Sequence, residues 1–259
     1  MHKSDREAGE FVKLLTTEIK KTRYRKIWLL LLVPLAIQGI WMLFITSHTN
    51  QAQLNMGYSN LLYFMSTMNV IIIPIVMAML ASRLCDIENK GNTLKLLYTL
   101  EEKGKVFDYK LILGSIYILG FTILQMICIK LVGGIFKFTQ MLETHMWIEF
   151  IVSTFTVSVI LFLIHQILSF QFKNQVACLT VGIGGTFFGL FSMFFPAPFP
   201  YFIIWGYYSI LSGFRFRNVP AGVMKVYEIP YKTEALFFLA VLGIIIYLVG
   251  KKLFLRREV

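Results

Sequence analysis

The residues able to do chemistry are few and far apart. Cys85, Cys128 and Cys178 are too widely spaced for a disulfide framework or a CxxC metal pair. No GxxxxGK(S/T) phosphate loop, HExxH zinc helix or GxSxG nucleophile elbow occurs. The expectation is a chain that is not an enzyme and binds no metal or cofactor itself. Its energy would come from an ion gradient or a partner. Gln38, Asn69, Gln125, His165 and Gln166 are the main polar groups inside apolar stretches. Such groups are costly in hydrocarbon and face a bundle interior or a wet cavity. His165 has the chemistry of a proton relay, but a lone buried histidine more often serves as an interhelical hydrogen-bond partner.

The elements that must position these groups follow from composition. Of 259 residues, 57% are hydrophobic and only 15% charged, against about 25% charged in an ordinary soluble domain. Mean hydropathy is +0.68. There is too little polar residue to cover a soluble domain, so a soluble enzyme and a disordered chain are both excluded. A spanning helix needs about 20 mostly apolar residues. Six runs qualify, at 27–45, 58–81, 111–132, 146–169, 176–195 and 235–255, the last extended by snorkelling of Lys251 and Lys252. The 26 residues before the first run, rich in polar and charged side chains, with no small-x-small site after that run, mark an anchor and not a cleaved signal. Pro196, Pro198 and Pro200 remove three amide donors and end the fifth helix. The next apolar stretch, 201–214, has only 14 residues. That length suits a re-entrant segment better than a span.

Charge sets the orientation. The net charge is +11. With six spans, 19 of the 25 basic residues fall on the side of both termini and in the loops at 82–110 and 173. This bias places both termini in the cytoplasm and removes any need to invoke nucleic acid.

Two cytoplasmic elements stand out. Within residues 1–26, Phe11, Leu14, Leu15 and Ile19 form one face of a helix over 8–20. It suits the inner leaflet, or packing on a partner. In the loop at 82–110, Gly91 allows a sharp turn and Asn92 is a good N-cap. Leu94, Leu97 and Tyr98 then share a helical face, with Leu96 and Leu100 beside it. This short helix either docks on a soluble subunit or packs on its own bundle. Within the fifth run, Gly185 and Gly189 form a small-xxx-small pair for helix packing. Methionines around the second run and rings around Tyr201, Trp205, Tyr207 and Tyr208 suit an amphipathic cargo, or ordinary packing and an interfacial belt.

The loop motif Glu88-Asn89-Lys90-Gly91-Asn92-Thr93, followed by Leu94, Leu96, Leu97 and later Lys110, resembles the coupling region of ABC-2 type permeases. The patch Ile164 to Asn174, the glycines of the fifth run and the proline break agree. More narrowly, the chain resembles the lantibiotic-immunity and bacitracin-resistance branch. Family members often carry Pro and Arg after the coupling helix, where this chain has Glu101, Glu102 and Lys103.

The resemblance implies an all-α, type V exporter-like permease domain over 1–259. Phe11, Leu14, Leu15 and Ile19 would belong to an elbow helix. Glu88, Gly91, Asn92, Thr93, Leu94, Leu96, Leu97 and Leu100 would couple to an ATPase. The 196–234 region would be extracellular, with Pro196, Pro198, Pro200, Trp205 and Tyr208 at a re-entrant cap over the exit. Helices two and five would face the path. Two ATPase subunits would hold ATP and Mg, a second permease chain would pair with this one, and both would sit among lipids of the bacterial plasma membrane. The implied cargo is a lantibiotic-like peptide, expelled to confer immunity or resistance. Another hydrophobic cargo, such as a lipid, bacitracin or a drug, is the alternative. An ion-coupled transporter would need inverted repeats and a mid-membrane charge, and no repeat is visible.

Overall fold

In hydrocarbon the backbone has no hydrogen-bond partner but itself, so each apolar run closes into a helix. The computed structural model describes residues 16, 19, 20, 22, 26–49, 54–90, 103–172, 175–219 and 223–256. Among them the helices are α1 (Ile27–Ser47), α2 (Gly57–Lys90), α3 (Lys103–Ile135), α4 (Thr144–Gln171) and α5 (Gln175–Ser192). Two 3-10 turns (Phe199–Phe202 and Ile204–Gly206), α6 (Tyr207–Ile210), β1 (Phe214–Val219), β2 (Val223–Glu228) and α7 (Thr233–Arg256) follow.

Among the described residues, α1, α2, α3, α4 and α7 are each long and apolar enough to cross a bilayer. The expectation of six spans meets a shorter α5, whose apolar stretch is Val176–Ser192. The chain is a multi-pass membrane protein.

Helices α2 and α3 run well past their apolar runs. With 34 residues, α2 is about 51 Å long at ~1.5 Å per residue. The hydrocarbon core is about 30 Å thick. The polar turns at 82–90 and 103–110 continue helices already nucleated in the membrane, because propagation costs far less than nucleation. The most apolar window of α2 is 61% buried, against 22% for α7. So α2 is central and α7 peripheral. The exposed flanks of α1 (Trp28, Ile37, Ile40, Phe44) and α7 (Phe237, Ile244, Leu248) present an apolar surface suited to lipid. Hydroxyls within the bundle are satisfied locally: Ser66 donates to the Leu62 carbonyl at 2.9 Å and Ser158 to that of Thr154 at 2.6 Å. Gly114 leaves room for the Phe162 ring, which a Cβ there would overlap.

Two corrections follow. The chain is not all-α, since β1 and β2 form an antiparallel hairpin pairing Phe214 with Glu228 and Phe216 with Val226. The run Phe214-Arg215-Phe216-Arg217 alternates apolar and cationic residues, which is a strand pattern. Phe214 and Val226 are buried against Met42, Leu61, Met65, Met146 and Phe150. The stretch at 201–214 is also not one helix. It breaks into 3-10 turns, the four-residue α6 and the start of β1, interrupted at the extended Ile203 and at 211–213.

Candidate functional site

Three tiers of polar contacts run along the bundle. The first lies at its base, where α3 begins and α7 ends. Lys110 is 1% exposed and its Nζ donates to the Leu84 carbonyl at 2.7 Å. The apolar stem lies in the bundle, and the ammonium finds an acceptor on α2. Gln166 Nε2 donates to the Phe107 carbonyl at 2.9 Å. The Phe107 ring packs on Phe170, Tyr247 and Phe254, with centroids 6.2, 6.0 and 5.6 Å away. On the outside of the same turn, Lys251 Nζ stands 2.5 Å from Asp108 Oδ2, and the Tyr247 hydroxyl donates to Asp108 Oδ1 at 2.7 Å. This ion pair is partly exposed, so its contribution is at most about 1 kcal/mol. The buried contacts matter more: they fasten the turns of α2, α3, α4 and α7 at the base together.

The expected coupling residues Gly91, Asn92, Thr93, Leu94, Leu96, Leu97 and Leu100 lie outside the described residues. Glu88 sits in the last turn of α2, and only its backbone is described. Those residues connect two helices whose bases are locked to each other. Of the expected elbow residues, Phe11, Leu14 and Leu15 lie outside the described residues, and Ile19 is exposed. Nearby, the Thr22 hydroxyl lies 2.8 Å from the Tyr117 hydroxyl of α3.

The second tier lies at mid-bundle. Gln38, Asn69 and Gln125 are fully buried. Asn69 Oδ1 accepts from Gln38 Nε2 at 3.0 Å and from Gln125 Nε2 at 2.9 Å. Gln125 Nε2 also reaches Gln38 Oε1 at 2.7 Å. Asn69 Nδ2 approaches Thr154 Oγ1 at 3.5 Å. One acceptor thus gathers amides from α1 and α3, and α4 lies beside it. His165 is placed apart from this knot, on α4 facing α5. Its Nδ1 lies 3.4 Å from Cys178 Sγ, and its Nε2 has no partner. No carboxylate contacts it among the described residues. Among the described residues the geometry assembles an interhelical contact between α4 and α5.

The third tier is the hairpin end. Tyr207 and Tyr208 are buried in the main core. The Tyr208 hydroxyl lies 2.9 Å from Ser158 Oγ, and the Tyr207 hydroxyl donates to the Tyr201 carbonyl at 2.8 Å. Trp205 packs its indole into the face of α5 at Gly185, where a Cβ would overlap it. Gly185 and Gly189 therefore receive the segment after the prolines, not a neighbouring helix. Pro196 and Pro198 are exposed, and Pro200 lines a cavity. That cavity, of about 300 Å³, is lined by Tyr63, Tyr201, Arg215, Phe216 and Lys232 among others. A second, of about 460 Å³, adjoins it and shares Tyr201 and Lys232. Arg215 Nη1 donates to the carbonyls of Ser209 and Phe214 at 2.9 and 3.0 Å. Burial lowers the Arg215 pKa from its usual value.

Sequence reasoning named Trp205 and Tyr208 but missed Lys110, Asp108 and the Arg215–Lys232 cleft as sites. Lys110 entered as a loop charge and as the end of the motif that resembles a coupling region, not as a buried contact, although its place at the head of an apolar run is a signal of burial.

Among curated proteins, none matches this chain. A family model described as ABC-2 family transporter protein matches residues 14–193, well over half of the chain. The matched stretch covers α1 to α5, including the α2, α3 and α4 side of the locked base and the mid-bundle knot, and ends before the proline segment. The chain belongs to the ABC-2 family of transporter proteins, as the membrane permease that works with an ABC ATPase partner.

Proposed function

We propose that this permease expels lantibiotic-like antimicrobial peptides from the membrane and so confers immunity or resistance. The observation that carries this reading is the pair of adjoining cavities at the hairpin end, opposite the base. Phe194 and Phe202 beside them are 85% and 76% exposed. An apolar margin of this kind lets an amphipathic molecule reach the cavities sideways from a leaflet. The positive bias of the basic residues puts the base and both termini in the cytoplasm and the hairpin outside.

Two ATPase subunits, holding ATP and Mg, serve a pair of permease chains. Residues 91–100 dock on them. Closure of the ATPase dimer moves that loop, and the locked base passes the motion to α4 and α7. Helices α2 and α5 line the path. They pack closely at Gly182, where a Cβ would meet that of Ala78 at 2.8 Å. Rearrangement there reaches the Trp205 segment directly, since the same face of α5 holds the indole. The experiment is survival of cells carrying the chain and its ATPase against a panel of lantibiotics and bacitracin. Selective protection against lantibiotics supports the reading, and unchanged survival across the panel rejects it.

A further inference from the structure

Arg215 and Lys232 line one cleft, and among the described residues neither has a carboxylate within ion-pair distance. Lys232 Nζ donates to the Tyr201 hydroxyl at 3.0 Å. The two bonds from Arg215 recorded above both come from Nη1, which leaves the rest of its fork for another acceptor. Ser192, Ser209, Tyr63 and Tyr201 add hydroxyls to the walls. Among the described residues no Asp or Glu lines this cavity, and Glu234 lines the adjoining one that shares Lys232. Two cations on the walls of one cavity, neither ion-paired among the described residues, favour a bound anion there. The outer margin is different in kind: Phe195, Phe199, Phe202 and Phe216 are all exposed. A cationic pocket beside a phenyl margin matches a molecule with an anionic head and an apolar tail.

We infer that the Arg215–Lys232 cleft binds the phosphate headgroup of an anionic amphiphile, whose tail lies over the exposed phenylalanines. Arg215 offers a planar fork that phosphate oxygens accept in bidentate fashion, and Lys232 a point charge that also binds phosphate. The hydroxyls of Tyr201 and Ser209 complete the shell. Arg215, Tyr201 and Lys232 lie beyond residue 193, outside the stretch matched by the family model. This inference requires neither the peptide cargo nor the orientation proposed above.

The test uses the full chain, delipidated in neutral detergent and titrated with phosphatidylglycerol or phosphatidylcholine under native mass spectrometry. Phosphatidylglycerol should bind in preference, and Arg215→Gln with Lys232→Gln should weaken it about tenfold. Arg215→Lys with Lys232→Arg should retain the preference. Lys137→Gln, an exposed cation outside the cleft, should leave it unchanged. If the glutamine pair does not fold, the lysine–arginine pair and a competition arm still decide. Glycerol 3-phosphate should displace the lipid only weakly, because it lacks the tail. Equal binding of phosphatidylcholine overturns the inference, as does undiminished binding in a folded glutamine variant. Binding of glycerol 3-phosphate as tight as that of the lipid overturns it in favour of a free-phosphate site. None of these readouts involves transport, so their failure leaves the proposed export function standing.

Discussion

The Lys110 ammonium lies 2.7 Å from the Leu84 carbonyl, joining two helices across 26 residues of chain. Both helices lead into the loop proposed to meet the ATPase. A hydrogen bond from a charged donor contributes about 1.5–3 kcal/mol. Lys110→Met keeps the apolar stem and removes the donor. It should lower the melting temperature of the purified protein and uncouple ATP hydrolysis from transport. An unchanged melting curve would remove Lys110 from the account.

The mid-bundle knot predicts an order of costs. Asn69→Leu removes the acceptor of both amides and leaves Gln38 Nε2 stranded, although Gln125 Nε2 keeps Gln38 Oε1, whereas Gln38→Leu leaves Asn69 and Gln125 bonded to each other. Hydrogen bonds between membrane helices average about 0.6 kcal/mol and reach about 1–2 kcal/mol. Unfolding in detergent should place Asn69→Leu about 1 kcal/mol below Gln38→Leu. Equal costs would mean that the shared acceptor is not what holds α1 and α3 to α2.

Gly185 and Trp205 form a lock and its occupant. Gly185→Ala puts a methyl where the indole sits, so the segment after the prolines must shift. Export should fall and Trp205 fluorescence should move toward that of a solvated indole. Trp205→Ala in the same chain removes the clash, so the double variant should be closer to the Trp205→Ala single than additivity allows. Strict additivity would contradict the packing described.

The proposed docking loop predicts loss of the partner. Gly91→Pro with Leu97→Asp should reduce the co-purified ATPase about tenfold, as expected when buried contacts of an interface core are lost. Retention of a fully active complex would place the docking surface elsewhere.

Much of the bundle was legible because hydropathy reports where hydrocarbon is. The expected 27–45 and the observed Ile27–Ser47 differ by two residues. Hydropathy stops at the membrane face, so the polar turns that carry α2 to Lys90 and α3 back to Lys103 were invisible to it. The hairpin was missed for a related reason. Phe214 and Phe216 alternate with Arg215 and Arg217, and a span count averages that alternation away. Gly185 was read as a helix-packing residue because small-xxx-small spacing says that something approaches closely, but not what. The partners of Lys110 and Asn69 depend on how helices distant in sequence are juxtaposed, and no local pattern encodes that.

The central claim is ATP-driven removal of an amphipathic peptide from the outer leaflet. The direct measurement places the chain and its ATPase in proteoliposomes loaded with a fluorescent lantibiotic and follows peptide release. The account predicts release that requires ATP and Mg and falls in the Gly91→Pro, Leu97→Asp variant. Peptide retained equally with and without ATP would contradict it.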